Sequence, residues 1–230
     1  MHYYDCPCDD CRRPDHDPLY ERVLNVIERL EQELERPRVK EYDRALTWLA
    51  AICGGPEAVL RLDAVPLHGP VPLPADERVE QVAELLHQLA RELFDDETAV
   101  AFRHGLARLW EIDPGLVRSP VSASYVASGL AWAIGQANGV VGPEHRVTAS
   151  RLKYQLDTPG SPATYVRPIR RALGGLWEWQ VDAAPMTASV PPLSALGDLR
   201  LLTARTRAQL VRVRDHALAA RSCDLEPACV

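Results

Sequence analysis

From Val147 to Leu173 the chain reads VTASRLKYQLDTPGSPATYVRPIRRAL. This stretch holds the residues whose types and spacing best suit a defined chemistry, the binding of a polyanion. Thr148 is placed to cap a short helix that buries Leu152 and Leu156. Asp157-Thr158-Pro159-Gly160 reads as a tight turn, and Ser161-Pro162 starts a second helix with Val166, Ile169 and Leu173 on one face. Two short helices joined by a Gly-containing turn have the sequence form of a helix-turn-helix. In that element the second helix enters the major groove, its first turn faces bases, and cations face phosphates. The residues expected at the groove are Ser161, Ala163, Thr164, Tyr165 and Arg167, with Arg151, Lys153, Arg170 and Arg171 expected to reach the backbone. Residues 144–173 hold six cations against Glu144 and Asp157, a local charge of +4. Pro168 falls inside the second helix and denies the Thr164 carbonyl its partner. The expectation is therefore either a kinked helix or a short one beginning near Arg167.

A second chemistry is suggested at the N-terminus. Cys6-Pro7-Cys8-Asp9-Asp10-Cys11 places three thiols within six residues, with His2 and His16 beside them. Thiolates and imidazole together suit zinc, which takes four ligands in a tetrahedron. Cys6, Cys8, Cys11 and His16 are the candidate zinc ligands. The spacing is C-x-C-x2-C rather than two paired C-x-x-C motifs, and Cys223 and Cys229 are further candidates to complete such a site. The competing reading is a tail of reactive thiols. Cys53 reads as a small core residue.

No G-x-S-x-G, H-E-x-x-H, phosphate-loop or dinucleotide-binding glycine pattern occurs, so the expectation is a protein that is not an enzyme. His87 and His104 lie on expected helices without a partnered motif. Trp177 and Trp179 sit in an expected loop, which they would staple to the core or offer as an interface anchor.

The elements that must position these residues are helical. Hydrophobic residues make up 47% of the 230-residue chain and charged residues 25%, the balance of an ordinary globular protein. No apolar run approaches the length of a membrane span, and the polar, acidic start does not read as a signal peptide. A cytoplasmic protein with reduced thiols and no membrane partner is expected. The net charge of −6 is uneven. Residues 1–100 carry 11 Lys+Arg against 22 Asp+Glu, and residues 101–230 carry 15 against 10. The acidic half argues against a protein that coats nucleic acid all over, while the basic half leaves room for one anion-facing surface.

The reading is all-α, a multi-helix bundle containing the helix-turn-helix-like hairpin and closed by a long C-terminal helix. Its expected parts are a Cys-rich tail over 1–16, an acidic helical hairpin over 17–66, a helical domain over 76–173, a Gly/Pro-rich loop over 174–197 and a helix over 198–221. Pro66, Pro70, Pro72 and Pro74 mark an extended linker and a candidate domain boundary. Asp76–Phe94 and Asp95–Ile112 have strong helical periodicity. Ser122–Gly139 is small and apolar nearly all round, which predicts a central helix ending at Asn138-Gly139. The arginines of the last helix suggest a solvated face, an extension of the basic surface, or a partner for the acidic first helix (Glu28, Glu31, Glu33, Glu35).

Three stretches, AWAIGQANGVV (Ala131–Val141), VTASRL (Val147–Leu152) and IRRAL (Ile169–Leu173), carry a resemblance. They resemble a family of uncharacterised bacterial proteins whose C-terminal half is similar to the cyclin-type helical domain of transcription factor IIB. In that family a helix with a Gly-x-x-Asn pattern, matched here by Gly135 and Asn138, precedes a helix-turn-helix. The resemblance covers about residues 76–173 and departs from the family at Pro168 and Pro159-Gly160. It implies a helical fold and a bacterial regulatory or DNA-associated protein. The alternative is a helical interaction module that self-associates through its oppositely charged halves, and a third reading is a zinc-binding protein.

Overall fold

The helix Ala123–Ala137 has no polar face for water to meet, so other helices must cover it on every side. The computed structural model describes residues 22–28, 39–118, 122–158, 160–174 and 196–225. They divide into two units, 1–39 and 40–230. Of the first unit, residues 22–28 form a helical stretch, α1. The second contains α2 (Glu41–Cys53), α3 (Pro56–Leu60), α4 (Glu77–Leu93), α5 (Asp96–Ile112), α6 (Pro114–Arg118), α7 (Ala123–Ala137), α8 (Ala149–Gln155), α9 (Pro162–Gly174), a 3-10 turn (Leu199–Leu201) and α10 (Ala204–Leu225). The described residues form an all-α bundle with no strands, Val141 and Val147 making only an isolated bridge. None of these helices is long and apolar enough to cross a membrane.

α7 is the hub, packed against α4, α5, α6, α8 and α9. Its small residues let neighbours close in. A Cβ on Gly129 would stand 2.8 Å from Ile169 Cδ1 and 3.3 Å from the Tyr165 backbone, so glycine here allows α9 to lie directly on α7. The helix stops where Gly139 turns left-handed at φ 60. The Gly139 amide donates to the Gln136 carbonyl at 3.2 Å and the Val140 amide to the Gly135 carbonyl at 2.9 Å, a Schellman ending. Other helix ends follow their cap residues. The Asp76 carboxylate accepts from the Arg78 and Val79 amides, and Asp95 accepts from the Thr98 amide at 2.8 Å.

Three expectations change. The unit boundary falls after Val39, inside the stretch expected as one hairpin over 17–66, and α2 packs along α10. The Pro-rich segment is not a domain boundary. Val71 is buried in the core, the Leu67 amide donates to Glu97 Oε1 at 2.8 Å, and the Arg103 guanidinium donates to the Val71 carbonyl at 3.1 Å. Proline forced the segment to be extended, and its unused backbone groups are met by side chains of α5. The last helix begins at Ala204, not near Leu199, because Asp198 caps a separate 3-10 turn before it.

Two arginines of α10 also point inward. Arg207 is 7% exposed; its Nε donates to the Leu202 carbonyl, it pairs with Asp63 at 3.1 Å and Glu97 at 3.6 Å, and it donates to the Val65 carbonyl. Arg214, one heptad further on, donates to the Leu62 carbonyl at 2.5 Å and pairs with Asp215 at 2.8 Å. These two guanidiniums satisfy the carbonyls of a segment too irregular to satisfy itself. They are neither a solvated face nor part of a basic surface. Glu31, Glu33 and Glu35, their other expected partners, lie outside the described residues.

Candidate nucleic-acid interface

The hairpin expected at 148–173 is present as α8 and α9, which pack on one another and on α7. The Thr148 hydroxyl caps α8 by accepting from the Arg151 amide at 3.3 Å. α8 ends in a second Schellman turn, with the Asp157 amide on the Tyr154 carbonyl at 3.3 Å and the Thr158 amide on the Lys153 carbonyl at 3.1 Å. Asp157 occupies the left-handed position at φ 46, which Asp tolerates better than most residues. Thr158 is buried, and Gly160 sits so close to Tyr125 that a Cβ there would stand 2.7 Å from its hydroxyl. The turn is thereby anchored to α7.

α9 is one continuous helix of 13 residues with Pro168 inside it. A short helix starting near Arg167 is therefore excluded. The wheel gives a physical reason. Val166, Ile169 and Leu173 are buried on one side, and Thr164, Arg167 and Arg171 are exposed on the opposite side. Pro168 is half-buried on the flank of that exposed stripe. The Thr164 carbonyl it leaves without an amide belongs to a residue that water reaches.

Of the nine expected contact residues the side chain of Ala163 lies outside those described, and the other eight divide. Arg151, Lys153, Ser161, Thr164, Arg167 and Arg171 are exposed. Among the described residues no carboxylate lies within ion-pair distance of Arg151, Lys153, Arg167 or Arg171. Tyr165 and Arg170 turn inward. The Tyr165 hydroxyl donates to the Leu116 carbonyl at 3.2 Å and its ring lies 6.5 Å from that of Tyr125. Arg170 donates to the Gln136 side-chain oxygen on α7. The first turn of α9, where base reading would occur, also buries Pro162. Ser161 and Thr164 of that turn are exposed.

One residue was not among those expected. Tyr154 on α8 is 86% exposed, beside Lys153 and one helical turn from Arg151. The signal was in the sequence. In a seven-residue helix whose inward positions go to Leu152 and the capping Leu156, a tyrosine at 154 has no core to join.

Elsewhere, the Asp198 carboxyl is half of a different cluster. Burial raises its pKa, but Arg200 bonds at 2.8 and 3.1 Å and Arg108 at 3.4 Å outweigh this and hold it below the usual carboxylate value. His104, half-buried nearby, is held below its ordinary value by burial and by Arg200, with Asp198 opposing. Cys53 is buried as expected, and desolvation pushes its thiol up to about 12. A groove of about 590 Å³ lies between the Pro-rich segment and α4 and is lined by Val71, Leu73, Glu80, Glu84, His87 and Arg103. No group of His, Cys, Asp and Glu suited to a metal occurs among the described residues. Cys6, Cys8, Cys11 and His16 lie outside them, as do Cys229, Trp177 and Trp179.

No family model matches this chain, and no curated protein or solved structure matches it either.

Proposed function

We propose that this protein is a DNA-associated, regulatory-type protein that binds nucleic acid through the α8–α9 hairpin, chiefly by phosphate contacts. One observation carries the reading. Thr164, Arg167 and Arg171 line the outer side of α9, and Arg151 and Lys153 are exposed on the adjoining α8, without carboxylates to neutralise them among the described residues. Cations exposed on the outer face of a hairpin can displace the counterions of a phosphate backbone, which supplies most sequence-independent affinity. The withdrawal of Tyr165 removes one of the groups that would read bases, and that of Arg170 one of the expected backbone contacts. Backbone contact then outweighs sequence reading. The likeness of Ala131–Val141, Val147–Leu152 and Ile169–Leu173 to the bacterial family with a transcription factor IIB-like domain supports the same assignment.

The test is fluorescence anisotropy on a random duplex at about 50 mM salt, repeated as salt rises. Four phosphate contacts give a slope of log K against log salt of about −3.6. Arg167→Ala with Arg171→Ala is expected to flatten that slope by about half. Absence of any binding at the lowest salt, to this duplex and to a single strand alike, refutes the proposal.

A further inference from the structure

We infer that the preferred ligand of this hairpin is a single strand of DNA, with Tyr154 as the platform on which a base stacks. The inference rests on the nucleic-acid reading above and specifies its substrate. A duplex reader needs side chains reaching from the first turn of its second helix. Here that turn buries Pro162, ties Tyr165 to the Leu116 carbonyl at 3.2 Å, and leaves the short side chains of Ser161 and Thr164 exposed. A single strand asks for something different, a cationic track for its phosphates and an exposed aromatic face for its unpaired bases. α8 provides both. Tyr154 is 86% exposed, more than any other large apolar residue noted at the surface. It follows Lys153 directly, and its three-residue spacing from Arg151 puts the two on one side of the helix.

A tyrosine that water surrounds stabilises no core, and this one makes no ring contact within the described residues. No nearby carboxylate forms an ion pair with Arg151 or Lys153 among the described residues. Glu92 accepts from Gln155, and Asp157 is the one acid of the turn, set in the left-handed position that ends α8. The exposed cations of α9, Arg167 and Arg171, extend the phosphate track along the hairpin. Stacking tolerates any base because every base has a π-face. This agrees with a hairpin that turns Tyr165, one of its expected base-reading groups, inward.

The experiment measures binding of an oligothymidine of about 20 nucleotides, longer than a typical site of roughly 4–16, against a random duplex, for the wild type, Tyr154→Ala and Tyr154→Phe. Tyr154→Ala is expected to weaken single-strand binding roughly 10-fold or more and to leave duplex binding and thermal stability unchanged. Tyr154→Phe keeps the ring and should bind like the wild type. Equal loss on strand and duplex, or no loss with Tyr154→Ala, overturns the stacking role while leaving the phosphate reading intact. An oligouridine that binds more tightly than the oligothymidine overturns the assignment to DNA. If the wild type binds neither strand nor duplex, both proposals fall together.

Discussion

Asn138 and Thr203, 65 residues apart, meet through a 2.7 Å hydrogen bond from the Thr203 amide to the Asn138 side-chain oxygen. The same Asn138 side chain donates to the carbonyls of Ile134 and Leu201 at 2.9 and 2.8 Å, and it is buried. One amide therefore closes the end of α7 and holds the strand of chain that leads into α10. Asn138→Ala leaves the Thr203 amide and the Leu201 carbonyl buried without a partner. A loss of about 2–4 kcal/mol in urea unfolding is expected. Asn138→Asp should cost at least as much, because a carboxylate cannot donate to the two carbonyls. A loss below about 1 kcal/mol for both would contradict this role.

The Arg207–Glu97 pair makes a second prediction. Arg207 is buried among carbonyls and carboxylates, while Glu97 Oε1 also accepts from the Leu67 and Ala204 amides at 2.8 and 2.7 Å. Arg207→Met leaves the half-buried Glu97 charge without its cation, and a loss of about 3 kcal/mol is expected. Arg207→Met combined with Glu97→Gln keeps an oxygen for both amides and removes the orphan charge. The double variant should be more stable than the sum of the single losses implies, by about 1 kcal/mol or more in a double-mutant cycle.

Pro168 offers a test in the stabilising direction. Pro168→Ala restores an amide to the Thr164 carbonyl within a helix that already runs through the site. The gain is offset in part by the looser unfolded chain. The net expectation is about 1–2 kcal/mol of added stability in urea. Destabilisation would mean that the ring makes a packing contact worth more than the missing bond.

His104 sets the pH response. Its folded pKa lies below the ordinary 6.5, so the unfolded chain takes up the proton first as pH falls. Its contribution is complete above about 6.5 and is lost as pH drops through the folded value. The urea midpoint should decline as pH falls below the ordinary 6.5, and His104→Gln should flatten that decline. Asp198, held below 3.8, loses its contribution only in stronger acid, so the two effects separate along the pH axis. An unchanged slope in His104→Gln would show that other groups carry the decline.

Much of the architecture is written locally. Hydrophobic period marked α4 and α5, Asp76, Asp95 and Thr148 marked helix starts, and the small apolar texture of Ala123–Ala137 marked the helix that others surround. These follow from a residue's neighbours along the chain, because caps and helical faces span only a few positions. The side on which a cation ends is not local. Arg167 and Arg170 differ by one turn in the sequence, yet one is exposed and the other reaches Gln136 on α7. Arg207 faces inward only because the extended segment at 62–67, brought there by the fold, presents carbonyls and Glu97 that need a donor. Periodicity along the chain therefore determined the helices and the hairpin. Tertiary packing alone decided which arginines bind the protein itself and which are left for a ligand, since a guanidinium goes wherever unsatisfied oxygens lie within its reach.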